Sequence, residues 1–94
     1  MDAKTNKIII DYLKQYDPNE IGVFGSYARG EMTPESDIDI LYSLNKTIDL
    51  FQLVGIKLDL EEKLNRKIDF VSKHALNRHV KPYILKDLKI IYPK

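Results

Sequence analysis

The chain has no cysteine. That removes disulfides, thiolate nucleophiles and thiolate-bound zinc. Histidine is scarce: His74 and His79 are the only two, too few for a histidine-built metal centre. Any metal would be held by oxygen, which favours Mg²⁺, Mn²⁺ or Ca²⁺. An excess of charge is also missing. Fifteen Lys and Arg against 14 Asp and Glu leave a net charge of +1. The chain therefore lacks the bulk electrostatic footprint of a nucleic-acid or anionic-lipid binder. No apolar run exceeds about four residues, against the ~18 or more of a membrane span. Met1 to Lys7 lack the apolar stretch of a signal peptide. The expectation is a cytoplasmic protein with no membrane partner and no nucleic-acid partner.

What is present suits one small domain, residues 1–94. Hydrophobic residues are 44% and charged residues 31%, an ordinary globular balance. A chain this size buries roughly two-thirds of the surface it exposes when unfolded, so one thin core is feasible. Arginine is rare among the cations, only Arg29, Arg66 and Arg78, so the position of each matters.

Periodicity orders the elements. Ile9, Tyr12, Leu13 and Tyr16 recur at helical spacing, which predicts a helix over 3–16 with Asp2 as N-cap. Asp17-Pro18-Asn19 stops it. Ile21-Gly22-Val23-Phe24 reads as a buried strand. A short helix from about Ser26 and a polar loop follow, and Asp37 to Tyr42 alternates like a strand. Residues 48–64 carry two patterns. Ile56 to Leu60 alternates like a strand, but the longer window is helical, and length decides for helix. Asp49 or Thr47 would cap it, and Asn65 would stop it in the left-handed conformation. Lys67 to Ser72 is another strand. Residues 75–88 are expected to be helical in two pieces, broken before Pro82. Ile90-Ile91-Tyr92 would add a short edge strand. The alternation of helices and strands predicts an α/β or α+β fold, a small sheet flanked by helices.

Three features carry chemistry. Gly25-Ser26 stands where a strand gives way to a helix, a place whose unpaired N–H groups suit phosphate. Gly25 allows close backbone approach, and Ser26 can add a hydrogen bond. Alone, such a turn is also ordinary loop punctuation. Asp37-x-Asp39 opens a strand, so both carboxylates share one face roughly 6.5 Å apart at Cα. They are either a solvated strand start or a site for divalent cations, which relieve their repulsion. Asp69 interrupts the apolar segment Ile68 to Val71. It either faces solvent from an edge or belongs to a site, because ionised carboxylates are rarely buried unpaired. Arg29 would grip phosphate, brace the Asp37–Asp39 pair, or pair with Glu31 or Glu35 in the loop. His74, His79 and the tyrosines, among them Tyr12, Tyr16, Tyr42 and Tyr83, read as packing or surface groups.

Ten residues separate Ser26 from Asp37, giving Gly-Ser-x10-Asp-x-Asp between two predicted strands, with Asp69 on a third. This pattern resembles the polymerase-beta-type nucleotidyltransferases, and Val23 to Glu31 with Ser36 to Ile40 is similar to their minimal (MNT) branch. The likeness continues through Leu60 to Val71, Ile84 to Asp87 and Ile90 to Tyr92, covering about residues 8–92. It implies a small mixed sheet flanked by helices, the polymerase-beta-like fold. It also implies nucleotide contacts from Gly25, Ser26, Arg29 and Ser36, and two Mg²⁺ ions (or Mn²⁺) held by Asp37, Asp39 and Asp69, the catalytic carboxylates. Two positions depart from the pattern. Asn65 stands where relatives commonly have Gly, and Tyr27 where many have Arg.

The reaction so implied is nucleotidyl transfer from a nucleoside triphosphate, with ATP expected, to a hydroxyl. The MNT branch is typically paired with HEPN-domain proteins, all-helical toxins. The resemblance thus implies an antitoxin that attaches AMP to a tyrosine of such a partner. Two alternatives stand beside it. One is a non-catalytic antitoxin that neutralises its partner by binding; the other is a small-molecule nucleotidyltransferase completed by dimerisation. A homodimer and a hetero-oligomer are both compatible with the sequence.

Overall fold

The computed structural model of the protein describes residues 2–93. Helix α1 (Ala3–Leu13) continues as a 3-10 turn, Lys14–Tyr16, and is followed by β1 (Pro18–Phe24) and α2 (Gly25–Arg29). Then come β2 (Ile38–Leu44), α3 (Leu50–Leu64) and β3 (Ile68–Ser72). A 3-10 turn, Lys73–Ala75, leads to α4 (Lys81–Asp87) and β4 (Lys89–Tyr92).

Each end has a local cause. The Asp2 carboxylate accepts from the Lys4 amide and caps α1. Asp17, at φ 52°, turns the chain out of the 3-10 segment. Strand β1 begins earlier than the apolar run does, at buried Pro18. A proline lacks the N–H that a central strand needs but is tolerated as a strand's first residue. Segment 48–64 is helix from Leu50 on. Asp49 accepts from the Gln52 amide at 2.7 Å, and Gln52 Oε1 accepts from the Asp49 amide at 3.0 Å. This capping box starts α3, and Asn65 ends it at φ 52°. Ile56 and Leu60, one turn apart, are both fully buried. At about 1.5–3 kcal/mol each they outweigh the ~1 kcal/mol cost of Gly55 in the helix.

The two helical pieces expected over 75–88 reduce to one. Residues 78–80 form a turn, and α4 begins at Lys81 with Pro82 in its first turn. Asn77 explains the break. Its Oδ1 accepts from the amides of His79 and Val80, a side-chain turn that competes with helix.

The sheet runs β3-β2-β1-β4. Strand β1 pairs antiparallel with β2 and β4, while β2 and β3 are parallel with α3 as the crossover. One face carries Ile21, Val23, Ile38, Ile40 and Ile68 against Ile9, Ile10 and Leu13 of α1 and Ile56 and Leu60 of α3. The other carries Phe24 and Leu41 under Ile84 of α4, with Val71, Leu76 and Leu88 around them. Strand alternation puts Asp39 on the Leu41 face and Asp69 on the Val71 face. Both carboxylates therefore lie on the α4 side of the sheet. Among the described residues, no helix is long and apolar enough to cross a membrane.

Candidate active site

Register brings the carboxylates together. Asp39 is the direct partner of Asp69 across the parallel β2–β3 pair and of Phe24 across the antiparallel β1–β2 pair. Asp37 enters β2 from the loop, exposed, while Asp39 is half-buried and Asp69 exposed. The sequence-derived triad is thus assembled at one end of one sheet face.

The turn after β1 completes the arrangement. Gly25 has φ +68°, a conformation that glycine adopts without strain. A Cβ there would collide with Asp39 Oδ2. Gly25 is therefore required both for the turn and for the approach of the Asp39 carboxylate. Ser26 follows in the first turn of α2, its hydroxyl directed at the Met32 sulfur at 3.8 Å, a weak acceptor. The Glu31 amide donates to the Ser26 carbonyl, and Gly30 closes the helix at φ +73°.

Charge accumulates where these elements meet. Asp39 is pushed up to about 6 from an ordinary 3.8. Burial is the main cause, followed by repulsion from Asp69 and Asp37, while Arg29 draws it back down. Arg29 itself donates to Asp87 Oδ2 at 2.6 Å and to Glu31 Oε2 at 3.3 Å. Glu31 was one of its two expected partners; Asp87, 58 residues away, had no local signal in the sequence. Ser36 is used by its own loop. Its Oγ accepts from the Thr33 amide at 2.9 Å and lies 3.0 Å from Thr33 Oγ1. Arg66 Nη1 donates to the Thr33 and Ser36 carbonyls, a contact that no local pattern in the sequence signals.

Other candidates resolve into structure. The Tyr27 hydroxyl donates to Asn6 Oδ1 at 2.6 Å, and its ring is buried. The departure from Arg at this position ties α2 to α1. His74 Nε2 lies 3.2 Å from Oγ of buried Ser43. Tyr42 stacks on Phe70 with centroids 4.0 Å apart.

Among the described residues, no three Asp, Glu or His side chains close on one point as a ready-made cage. Mg²⁺ does not require one. It keeps several waters and takes one or two carboxylates together with substrate phosphates. The donors here are hard oxygens, and their mutual repulsion at Asp39 is the charge that a divalent cation would neutralise. The residues therefore fit such an ion. An open cleft of about 470 Å³, lined by Glu35, Ser36, Asp37, Arg66 and Lys67 among others, borders Asp37. A smaller hollow of about 340 Å³ between α1 and Tyr92 holds none of the three carboxylates.

Residues 7–94 match the family model described as polymerase beta, nucleotidyltransferase. A Methanocaldococcus jannaschii protein described as a candidate protein adenylyltransferase is 40% identical over 76 residues, 80% of this chain and 78% of that one. The protein adenylyltransferase MntA of Thermococcus cleftensis is 33% identical over 75 residues, 80% of this chain and 76% of its own length. Among solved structures, a candidate minimal nucleotidyltransferase superposes with a TM-score of 0.77 at 28% identity over 95% of both chains. A chain of the tri-AMPylated Shewanella oneidensis HEPN toxin in complex with MNT antitoxin gives 0.79 at 21% identity, over 100% of this chain and 74% of that one. At that identity the likeness shows the fold alone.

Proposed function

This chain belongs to the polymerase beta nucleotidyltransferase family, and we propose that it moves AMP from ATP to a tyrosine hydroxyl of a HEPN-type toxin and so acts as its antitoxin. One observation carries the catalytic part. Asp37, Asp39 and Asp69 share one end of one sheet face, against a Gly25-Ser26 turn that admits Asp39 only because residue 25 has no side chain. The adenylyl specificity is supported by relatives described as protein adenylyltransferases. The partner is supported by the toxin-antitoxin complexes among the structural neighbours.

In this reading the acceptor hydroxyl attacks the α-phosphorus of ATP in line. An oxygen–phosphorus bond forms, the α–β anhydride bond breaks, and pyrophosphate leaves. Asp69, the more exposed partner of the Asp39–Asp69 pair, takes the hydroxyl proton. The Gly25-Ser26 turn holds the β and γ phosphates, with the Ser26 hydroxyl turning from the Met32 sulfur to a phosphate oxygen. Arg29 and Ser36 flank the nucleotide. Asp37 and Asp39, with Asp69, would hold two Mg²⁺ ions, for which Mn²⁺ can substitute. Such ions supply charge neutralisation at the attacking and leaving oxygens. The repulsion that helps to push Asp39 up to about 6 is charge that such ions would neutralise.

The test is incubation of the chain with ATP, Mg²⁺ and a HEPN-domain partner, followed by mass spectrometry of the partner. Added AMP on tyrosine is the expected result. Neutralisation without modification would replace the enzyme with a binding antitoxin.

A further inference from the structure

We infer that Arg66 is a positioning residue for the catalytic carboxylates, stapling the loop that delivers Asp37 to the start of the strand that delivers Asp69. The inference rests on the roles proposed above for Asp37 and Asp69. Arg66 Nη1 donates to the Thr33 carbonyl at 2.6 Å and to the Ser36 carbonyl at 3.2 Å. The Ser36 carbonyl belongs to the peptide group that joins Ser36 to Asp37, so this bond holds the main chain where it enters Asp37. On its other side Arg66 is fixed in place. Its amide donates to the Glu61 carbonyl at 3.3 Å, at the end of α3. Glu61 Oε2 in turn accepts from the Ile68 amide at 3.0 Å, one residue before Asp69.

Asp37 needs such a hold. It is exposed and lies just outside β2, and its charge repels that of Asp39. Repulsion between like charges favours arrangements that separate them, and a surface loop has the freedom to adopt them. The amide of Ile38 already donates to the Lys67 carbonyl at 2.9 Å, on the strand side of Asp37. The Arg66 bonds add attachment on the loop side, so Asp37 is bracketed before any cation arrives. Arginine suits the task because its planar guanidinium loses less freedom per bond than a lysine stem does.

The experiment uses the full chain, Mn²⁺ and a non-hydrolysable ATP analogue. Bound Mn²⁺ is read by electron paramagnetic resonance and folding by circular dichroism. Arg66→Ala is expected to remain folded and to lose about 10–100-fold in Mn²⁺ affinity, as supporting residues of metal ligands do. Millimolar guanidinium should restore part of that affinity, and the same concentration of potassium chloride should not. If the alanine variant does not fold, Arg66→Lys decides, with a smaller loss expected. A folded variant that binds Mn²⁺ as tightly as the parent overturns the inference, as does a loss that guanidinium leaves unchanged. Failure of the parent chain to bind Mn²⁺ with nucleotide is a different result, and it overturns the proposed function together with the inference.

Discussion

Asp39 lies in the space that a side chain on Gly25 would fill, with its Oδ2 against the position of the missing Cβ. Gly25 opens α2 directly after β1, Asp39 lies in β2, and Asp39 faces Phe24, the residue before the turn. The glycine turn and a half-buried carboxylate are thus built as one unit. Changing either residue alters the other's surroundings.

Gly25→Ala tests that unit. The variant meets two obstacles, the Asp39 oxygen and a left-handed φ of +68°. A non-glycine residue in that region costs roughly 1–2 kcal/mol before any collision is counted. Urea unfolding should show at least that loss, and ATP binding should fall with it. Combining it with Asp39→Ala should recover only the part due to the collision. Full additivity of the two losses would show that the residues do not compete for space.

The pH dependence of stability has a definite sign at Asp39. Its folded value, about 6, lies above its ordinary 3.8. The folded chain therefore binds this proton more tightly than the unfolded chain does, and stability falls as pH rises through that window. Asp39→Asn cannot ionise. Without metal, its melting temperature should equal or trail the parent's near pH 4 and exceed it above pH 6. Mg²⁺ with nucleotide should stabilise the parent and narrow the gap. A difference in melting temperature that does not change with pH would remove the repulsion argument.

Arg29 offers a separate check on the same charge. It lowers the Asp39 pKa while its own hydrogen bonds go to Asp87 and Glu31. Arg29→Ala should raise the Asp39 titration midpoint, read by carbon NMR of the carboxyl group. The stability cost should be small, because the guanidinium is exposed and its ion pairs are screened by solvent. An unmoved midpoint would confine Arg29 to anchoring α4. Asp87→Asn should leave most of the electrostatic effect in place.

Local chemistry made much of this legible in the sequence. Asp37-Ile38-Asp39-Ile40 alternates, and that alone places Asp39 opposite the Ile38–Ile40 core face. Asn65 announced a left-handed stop because its side chain tolerates one, and φ 52° bears that out. The strand-like Ile56 to Leu60 became helix because the Asp49–Gln52 box and two buried residues a turn apart outweigh alternation. What stayed hidden depended on distance or on a side chain's choice of partner. Nothing near Arg29 signals Asp87, and nothing near Arg66 signals the carbonyls of Thr33 and Ser36. The break over 78–80 turns on Asn77 bonding two amides beyond it, a local competition that helical periodicity does not register.

Asp69→Asn separates catalysis from binding. Asp69 is exposed at the start of β3 and pairs in register with Asp39, whose pKa it raises. The amide keeps the shape and removes that repulsion, so the fold should hold and the Asp39 titration should move down. Nucleotide should still bind, since the Gly25-Ser26 turn and the other two carboxylates are intact. The transfer step should suffer, because removing a general base typically costs 10²–10⁴-fold. Two readouts are needed, mass spectrometry of a HEPN-domain partner for added AMP and a growth assay for neutralisation of its toxicity. Loss of both, with association retained in a pull-down, supports an antitoxin that works by modification. Full neutralisation by a variant that adds no AMP would show that complex formation suffices, and the carboxylates would then need another explanation.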